Sequence, residues 1–559
     1  MHFLLSLPNS TSRHLFVTIS CLLIIFILLT RNSNGADKAQ ELQQAMLAHL
    51  NCYPMELIDF HKQKPLLESK EFCLATIYHE KGAQPLWITS YGPGNKARVI
   101  VDFLKRVDEE GLDPTDYEIS EILELWQSDR PNDLARLDTL LTYNLVKYIH
   151  DMSYGQLKFR TSDPALFAGV GNTHFDPLKA LEAARSAVDL TSYLNGLAPS
   201  HRYYADLKNA LIKIKAVPEN SGWVEIQGGP LIKPGNSDPR LPTIRQRLEE
   251  EHGLVTEANG KFFYDEELVE AISLFQLRHG LKTDSIIGPQ TLAVLNISRE
   301  EKINIIRANM ARWRWQAHEL GENYVMVNIA GFSLKAVKNG ETILEMPVIV
   351  GKSQHQTPVF SDNIRYLDFN PFWNVTTSIA RNEELPALQE NPNHLVERNI
   401  RLFSSWQEDA VELDSTAIDW NNISRAQISR YKLRQDPGPW NALGRVKFVF
   451  PNYHSVYLHD TPTRELFNHS FRSFSHGCIR VSRPLALSLF SLEMEDPLWS
   501  INKIEAIVTS GERKVIALSD PLPIHITYQT IWLDNQGTIH FNSDLYNRDT
   551  RLLEVMLTQ

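Results

Sequence analysis

A chain of 559 residues is too long for one hydrophobic core, and a length prior sets about three or four domains. With 43% hydrophobic and 22% charged residues it has the make-up of a soluble globular protein, which excludes long disorder. A formal charge of -11 and the lack of any long Lys/Arg run argue against nucleic acid as a partner.

The first element in chain order is the apolar run Leu15–Thr30, which follows Arg13 and His14 and precedes Asn32, Ser33, Asn34, Gly35 and Ala36. A basic start, an apolar middle and a small-residue exit make a secretory signal. A bilayer span takes roughly 20 apolar residues, so the run falls between a cleaved signal and a short anchor. Ser33, Gly35 and Ala36 permit cleavage, whereas Arg31 directly after the run favours a retained inner-membrane anchor within residues 1–36. Cys21 lies mid-run and reads as a small apolar residue in lipid. Export places the remainder in a compartment that permits disulfides. Cys52 and Cys73 could pair there, which leaves Cys478 as the odd thiol, either an intermolecular partner or a reactive group.

Residues 37–226 carry a helical pattern. Ala97–Glu110 places Val99, Val101, Phe103, Leu104 and Val107 on one apolar side before Gly111, and Leu134–Met152 and Lys179–Asn195 continue the helical period. No catalytic constellation occurs here. His150 has no partner at metal-ligand spacing and reads as a core or surface histidine. The region is expected to be a scaffold.

A Gly-, Pro- and Asn-rich linker, Gly228–Pro242, leads to a compact unit over residues 241–297. Its helices are expected at Thr243–Glu251, at Asp265–His279 with Asp265 as N-cap, and after Gly288-Pro289. Leu268, Ile272 and Phe275 give the second helix its buried stripe.

From Glu322 the period changes to alternation, with strands expected at Tyr324–Ile329, Phe332–Val337, Met346–Val350 and Lys447–Phe450. Asn339-Gly340 is a hairpin turn signal. This mostly β domain is assigned residues 322–510. Strand signals fade across the insertion 376–444, and residues 511–559 read as a C-terminal β extension packing on the scaffold or on the β domain.

The chemistry concentrates at Tyr457-Leu458-His459-Asp460 and Ser475-His476-Gly477-Cys478-Ile479-Arg480. A thiol attacks only as thiolate, so it needs a base or positive charge nearby. Arg480 and Arg483 follow Cys478, and a helix opening at Pro484 would present its positive end and lower the thiol pKa. Fifteen residues separate His459 from Ser475, enough for a loop that returns the imidazole to the sulfur. Cys478 is the candidate nucleophile and His459 the candidate proton carrier, the pair forming an ion pair. Gly477 permits the strained turn whose backbone N–H groups, with that of Cys478, would hold an oxyanion. Tyr457, Ser475, His476 and Arg480 are candidate substrate-binding residues. His454, His459, Asp460 and His476 lack zinc-peptidase spacing, so no metal is expected. Ser429-Arg430-Tyr431-Lys432 fits a Ser-x-x-Lys pattern but has no Lys-Thr-Gly partner. The chemistry needs no cofactor.

A histidine, a gap of this size and then Ser-His-Gly-Cys, apolar, Arg resembles the active-site signature of the L,D-transpeptidases with a YkuD-type catalytic domain. Tyr264-Asp265, Phe275-Gln276, His279-Gly280-Leu281, Asp284, Ile287-Gly288, Thr291 and Leu295-Asn296 resemble the three-helix peptidoglycan-binding module, with Asp284-Ser285 where an Asp-Gly turn is usual. Trp313-Arg314-Trp315, Val348–Gly351, Thr357–Phe360, Asn370–Val375 and Gly438–Gly444 extend the likeness to the large L,D-transpeptidases of the Gram-negative envelope. The resemblance implies an α+β multidomain protein with a helical scaffold, the small module and a mostly β catalytic domain bearing a substrate-capping insertion. It further implies a periplasmic enzyme acting on peptidoglycan stem tetrapeptides, as donor and acceptor, with glycan strands on the module and carbapenems as covalent inhibitors. The base is then His459, its tautomer held by a backbone carbonyl, and Asp460 is not a triad acid. Arg480 orients the turn or binds a stem carboxylate. Water or a protein amine in place of the second stem would make the enzyme an L,D-carboxypeptidase or a protein-attaching variant. A wall-binding protein without catalysis is the non-enzyme alternative.

Overall fold

The computed structural model describes residues 37–50, 78, 82–156, 175–216, 223–252, 262–534 and 537–557. The N-terminal segment 1–36 and the candidate pair Cys52 and Cys73 lie outside the described residues. Among the described residues, no helix is long and apolar enough to cross a membrane. The chain divides into two compact units, Met1–Leu157 with Thr173–Ala198, and Lys158–Asn172 with Pro199–Gln559.

The first unit is helical, built on α1 (Asn95–Leu104), α2 (Pro131–Ser153), α3 (Pro177–Ser186) and α4 (Leu190–Asn195). Proline at the first turn of α2 costs nothing, because that turn has no intrahelical partner for its N–H. Asp138 on α2 is fully buried and accepts from the N–H groups of Leu86, Trp87 and Ile88 (2.9, 2.8 and 2.9 Å) and from the Tyr78 hydroxyl (2.7 Å). This carboxylate joins two chain segments and has no free valence for catalysis. His150 is a core histidine, buried with Nδ1 3.1 Å from Asp151 Oδ1. Two expected helices are shorter than their apolar pattern. The first ends at Leu104, before a 3-10 turn over Val107–Glu110 that Gly111 caps at φ 71°. The other breaks into α3 and α4, because Asp189 turns its carboxylate to the Thr191 N–H (2.9 Å) and starts a new helix.

In the second unit, α5 (Arg202–Ala216) packs against a long helix ahead of the β domain. The module follows as α6 (Leu241–His252), α7 (Glu266–Arg278) and α8 (Pro289–Leu295). Leu241, Ile244, Leu248, Leu268, Ile272, Phe275, Leu292 and Leu295 form its core. Asp265 caps α7 through the Leu268 N–H at 3.0 Å. Ser285 stands at φ 57°, a conformation that costs a non-glycine residue about 1–2 kcal/mol. Buried Gln276 offsets it, because its Oε1 accepts from the N–H groups of Asp284 and Ser285 (3.1 and 2.9 Å).

Helix α9 (Arg299–Trp315), closed by a Ser298–Glu301 capping box, leads into the β domain. Its strands are β1 (Asn323–Asn328), β2 (Ser333–Lys338), β3 (Glu341–Gly351) and β4 (Phe360–Phe369). The insertion then supplies β5 (Trp373–Asn374), β6 (Ile400–Phe403), β7 (Glu412–Leu413) and β8 (Lys432–Gln435). The domain resumes with β9 (Val446–Val449), β10 (Leu458–His459), β11 (Ser473–Ser475) and β12 (Ile479–Val481), followed by α10 (Pro484–Glu493) and α11 (Ile501–Ser510). The long strand β13 (Lys514–Thr527), the hairpin β14 (Ile531–Leu533) and β15 (Ile539–Phe541), and α12 (Arg548–Leu557) complete the chain.

The main sheet runs β11-β3-β12-β10-β9-β4-β13-β1-β2, and β2 also pairs with β3, so the wall closes on itself. Closure removes the exposed strand edges of an open sheet. Val325, Val327, Leu334, Val348, Leu458, Ile479 and Val481 point inward, which turns Tyr457, His459 and Arg480 to the outside. Strand β13 pairs with both β1 and β4. Within the segment expected to be a C-terminal β extension, Lys514–Thr527 therefore pairs directly into the barrel. The insertion is also more ordered than its sequence suggests. Trp373, Leu388, Leu402, Trp420 and Leu433 give it a core of its own, over the four-stranded sheet β5-β8-β6-β7. Strands of two to four residues carry too few alternations to register as a period.

Gly351, at the end of β3, approaches the turn at Gly477 so closely that a Cβ there would lie 2.0 Å from the His355 carbonyl oxygen and 3.1 Å from Gly477 Cα. Both neighbours are backbone and cannot swing aside. Gly351→Ala is expected to cost about 3 kcal/mol or more of stability, as overpacking a rigid site does. Urea unfolding checks it, and an alanine variant as stable as the parent would show that the two backbones can move apart.

Candidate active site

The site begins with the parallel pairing of β10 and β12, which sets Leu458 opposite Ile479 and His459 opposite Arg480. Cys478 lies at the entrance to β12, on the turn from β11. Gly477 adopts φ 111°, open to glycine and strained for any other residue. Ser475 Oγ spans the turn, accepting from the Gly477 N–H at 3.2 Å and donating to the Cys478 carbonyl. Cys478 is a free, half-buried thiol.

His459 is 5% exposed, and its Nδ1 lies 2.5 Å from the Asp460 carbonyl oxygen. A carbonyl only accepts, so Nδ1 carries the proton and Nε2 is left as a base. The Asp460 carboxylate is turned elsewhere, to Arg464 Nη1 and the Arg445 N–H, both at 2.9 Å. Gly444 makes room for it at φ 62°, where a Cβ would fall 2.4 Å from the carboxylate. The Tyr457 ring stands edge-on to the imidazole at 5.6 Å, and the Cys478 sulfur lies 3.9 Å from the Ser455 carbonyl oxygen.

Burial governs the titration of the pair. It drives His459 down to about 3, with the Arg480 charge adding to the effect and the Asp460 carbonyl opposing it. It also pushes the Cys478 thiol up, against the Tyr457 hydrogen bonds and the positive charges of Lys447 and Arg480. Both shifts favour the neutral forms, thiol and imidazole, over the ion pair expected from sequence, because each charged form loses its hydration on burial. The helix end does not lower the thiol either. Helix α10 opens at Pro484, and the strand Ile479–Val481 lies between it and Cys478, beyond the first turn over which a dipole acts.

The remaining candidates divide. Arg480 donates Nη1 to Thr463 Oγ1 at 3.1 Å and keeps its buried Nε without a partner among the described residues. His476 turns away from the sulfur, with Nε2 against Glu383 of the insertion and its ring 5.2 Å from His355. Ser429 lies on the insertion, its hydroxyl engaged by Arg381 Nε at 2.6 Å and the Arg425 carbonyl at 3.1 Å, and it builds no second nucleophile. Among the described residues, no three His, Cys, Asp or Glu side chains converge as a metal ion would need.

Two participants escape sequence reasoning. Lys447 on β9 is the cross-strand neighbour of His459, and its Nζ sits 3.9 Å from the centre of the Tyr457 ring. Glu383 reaches the turn from the insertion. Neither carries a local signal, since one is a lysine in a strand pattern and the other one acid of an Asn-Glu-Glu run.

Known proteins share parts of this architecture. Residues 322–505 match the model of the YkuD family, an L,D-transpeptidase catalytic domain; residues 237–295 match a peptidoglycan binding domain, and residues 73–211 a scaffold domain. A relative from Haemophilus influenzae, described as an L,D-transpeptidase, is 30% identical over 230 residues, which is 41% of this chain and 45% of that protein. The match therefore spans less than half of the relative. Among solved structures, an L,D-transpeptidase from Mycobacterium smegmatis aligns at 13% identity and TM-score 0.18, over 37% of this chain and 58% of that one. L,D-transpeptidase 3 from Mycobacterium tuberculosis aligns at 12% identity and TM-score 0.17, over 37% and 61%. Superpositions that weak carry no argument.

Proposed function

We propose that this chain, which carries an L,D-transpeptidase catalytic domain, a peptidoglycan-binding domain and a scaffold domain, forms 3–3 cross-links between peptidoglycan stem peptides through a thioester on Cys478. One observation carries the reading. A free thiol on a glycine turn precedes the strand that pairs with β10, and β10 carries an imidazole whose Nδ1 is held by a carbonyl, which leaves Nε2 to accept a proton.

In the first half-reaction, sulfur attacks the carbonyl between residues three and four of a donor stem while its proton passes to His459 Nε2. The tetrahedral oxyanion needs preorganised donors, each worth ~3–4 kcal/mol. The Cys478 and Gly477 N–H groups are the candidates, the second being shared with Ser475 Oγ. The carbon–nitrogen bond then breaks, His459 returns the proton to the leaving D-alanine amine, and the thioester remains. In the second half-reaction an acceptor stem amine attacks the thioester and gives its proton to His459, which passes it to the departing sulfur. The Tyr457 hydroxyl and the positive charges of Lys447 and Arg480 lower the cost of the transient thiolate. The spare Arg480 Nε suits a stem carboxylate. A peptidoglycan substrate suits work in the cell envelope, and in this reading the chain acts in the periplasm with the module on glycan strands.

The test is incubation with defined stem tetrapeptides followed by mass analysis. A cross-linked dimer with loss of D-alanine supports transpeptidation, whereas loss of D-alanine alone supports the L,D-carboxypeptidase reading. Cys478→Ala is expected to abolish the acyl-enzyme and every product while the protein stays folded. Product from that variant would sink the thiol mechanism, and an inert parent chain would leave the wall-binding reading.

A further inference from the structure

The catalytic turn is gripped from behind by a short relay of hydrogen bonds whose far end lies outside the 322–505 span of the family match. The Thr357 hydroxyl donates to the Gly477 carbonyl at 2.9 Å and accepts from the Gly351 N–H at 3.0 Å. Tyr546, which is 2% exposed, donates its hydroxyl to the Gly351 carbonyl at 2.6 Å and accepts from the Thr357 N–H at 3.2 Å. Tyr546 is held in turn, with its N–H on the Tyr528 hydroxyl at 2.9 Å and the two rings stacked at 5.8 Å. Every donor and acceptor of the relay is spoken for, so a change at one bond displaces the next.

The Gly477 carbonyl and the Cys478 N–H belong to one peptide plane. In a trans peptide these two groups point in opposite directions. A hydroxyl that holds the carbonyl inward therefore aims the Cys478 N–H outward, to the side from which a carbonyl oxygen would arrive. Gly477 at φ 111° has no Cβ to fix the plane by sterics, and Ser475 Oγ holds only the flanking Gly477 N–H and Cys478 carbonyl, so the Gly477 carbonyl itself is held from outside the turn. We infer that Thr357 and Tyr546 are positioning residues that orient the Cys478 N–H as an oxyanion donor. The inference rests on the proposed acyl transfer at Cys478.

Two reactions at the same sulfur separate this role from mere support of the fold. Acylation by the carbapenem imipenem forms a sulfur–carbon bond at the lactam carbonyl, breaks the lactam carbon–nitrogen bond and passes the thiol proton to that nitrogen. It builds an oxyanion. Alkylation by iodoacetamide displaces iodide at a saturated carbon and builds none. Thr357→Val is expected to slow acylation by about 10–100-fold, the order lost with an oxyanion donor, and to leave alkylation within about 2-fold. Thr357→Ser, which keeps the hydroxyl, should recover most of the rate, and Tyr546→Phe should slow acylation alone by about 3–10-fold. If Thr357→Val fails to fold, the serine and phenylalanine variants still decide. Equal losses in the two reactions, or acylation at the parent rate in Thr357→Val and Tyr546→Phe, would overturn the inference. A parent chain that is alkylated but takes acyl groups from neither imipenem nor a stem donor would overturn the proposed function first, and this inference with it.

Discussion

His459→Asn is expected to lower acylation of Cys478 by about 10²–10⁴-fold, the usual worth of a positioned proton carrier. Asparagine keeps an amide N–H near the position of Nδ1, so the bond to the Asp460 carbonyl survives, and it removes Nε2. Bare alkylation of the thiol should change far less, as expected where burial favours a thiol beside a neutral imidazole. Burial lifts the thiol above its ordinary 9.0, so the parent's alkylation rate should climb with pH through the neutral range and beyond. The measurement is the rate with iodoacetamide from mildly acidic to alkaline pH, for parent and variant. A plateau in the parent that begins below neutrality and disappears in His459→Asn would restore the ion pair and rule out a resting thiol beside a neutral imidazole.

Acid should destabilise the unit spanning residues 199–559 steeply. His279 and His459 are both buried and held neutral, with pKa values down to about 4 and about 3 against an ordinary 6.5. For His279 the first cause is burial, followed by the opposing Phe275 carbonyl and then the charges of Lys302, His540 and Arg278. A folded pKa below the unfolded one means that the unfolded chain binds more protons between the two values. Stability is then complete above 6.5 and is lost as pH falls towards the folded pKa. Near pH 4.5 each of the two histidines should have given up about 2–3 kcal/mol. His279 sits between the module and the C-terminal hairpin, with Nδ1 2.7 Å from the Phe275 carbonyl and its ring stacked on Phe541 at 5.2 Å. His279→Gln should therefore cost stability at neutral pH yet lose less on acidification, by about 2–3 kcal/mol. Urea unfolding at neutral pH and near pH 4.5 reads this directly, and identical losses for parent and variant would count against it.

Much of the architecture is legible in sequence because its signals are local. Asp265 announces the start of α7, and Pro484 stands at the first turn of α10. Asn339-Gly340 marks a hairpin in which both residues take positive φ, 51° and 80°, as a tight two-residue turn demands. The candidate nucleophile and its candidate partner histidine are picked out by one thiol, one glycine and a spacing. The place of β13 in the barrel is not, since it is recognisable only through its partners β1 and β4. The same holds for the strands of the insertion, too short to show a period, and for the split of Lys179–Asn195, where one carboxylate outweighs a continuous apolar pattern.

By itself the sequence determined which chemical groups are present and in what local conformations. It specified the thiol, the imidazole, the glycine turn between strands and the order of scaffold, module and β domain. Only the tertiary structure decided what those groups experience. Burial shifts the Cys478 thiol up and the His459 imidazole down, and register across three strands brought Lys447 and Tyr457 beside them. Closure of the barrel carried Thr357 and Tyr546 to the back of the turn. The physical reason is that hydration and hydrogen bonding depend on distance in space, and a residue pattern records only distance along the chain.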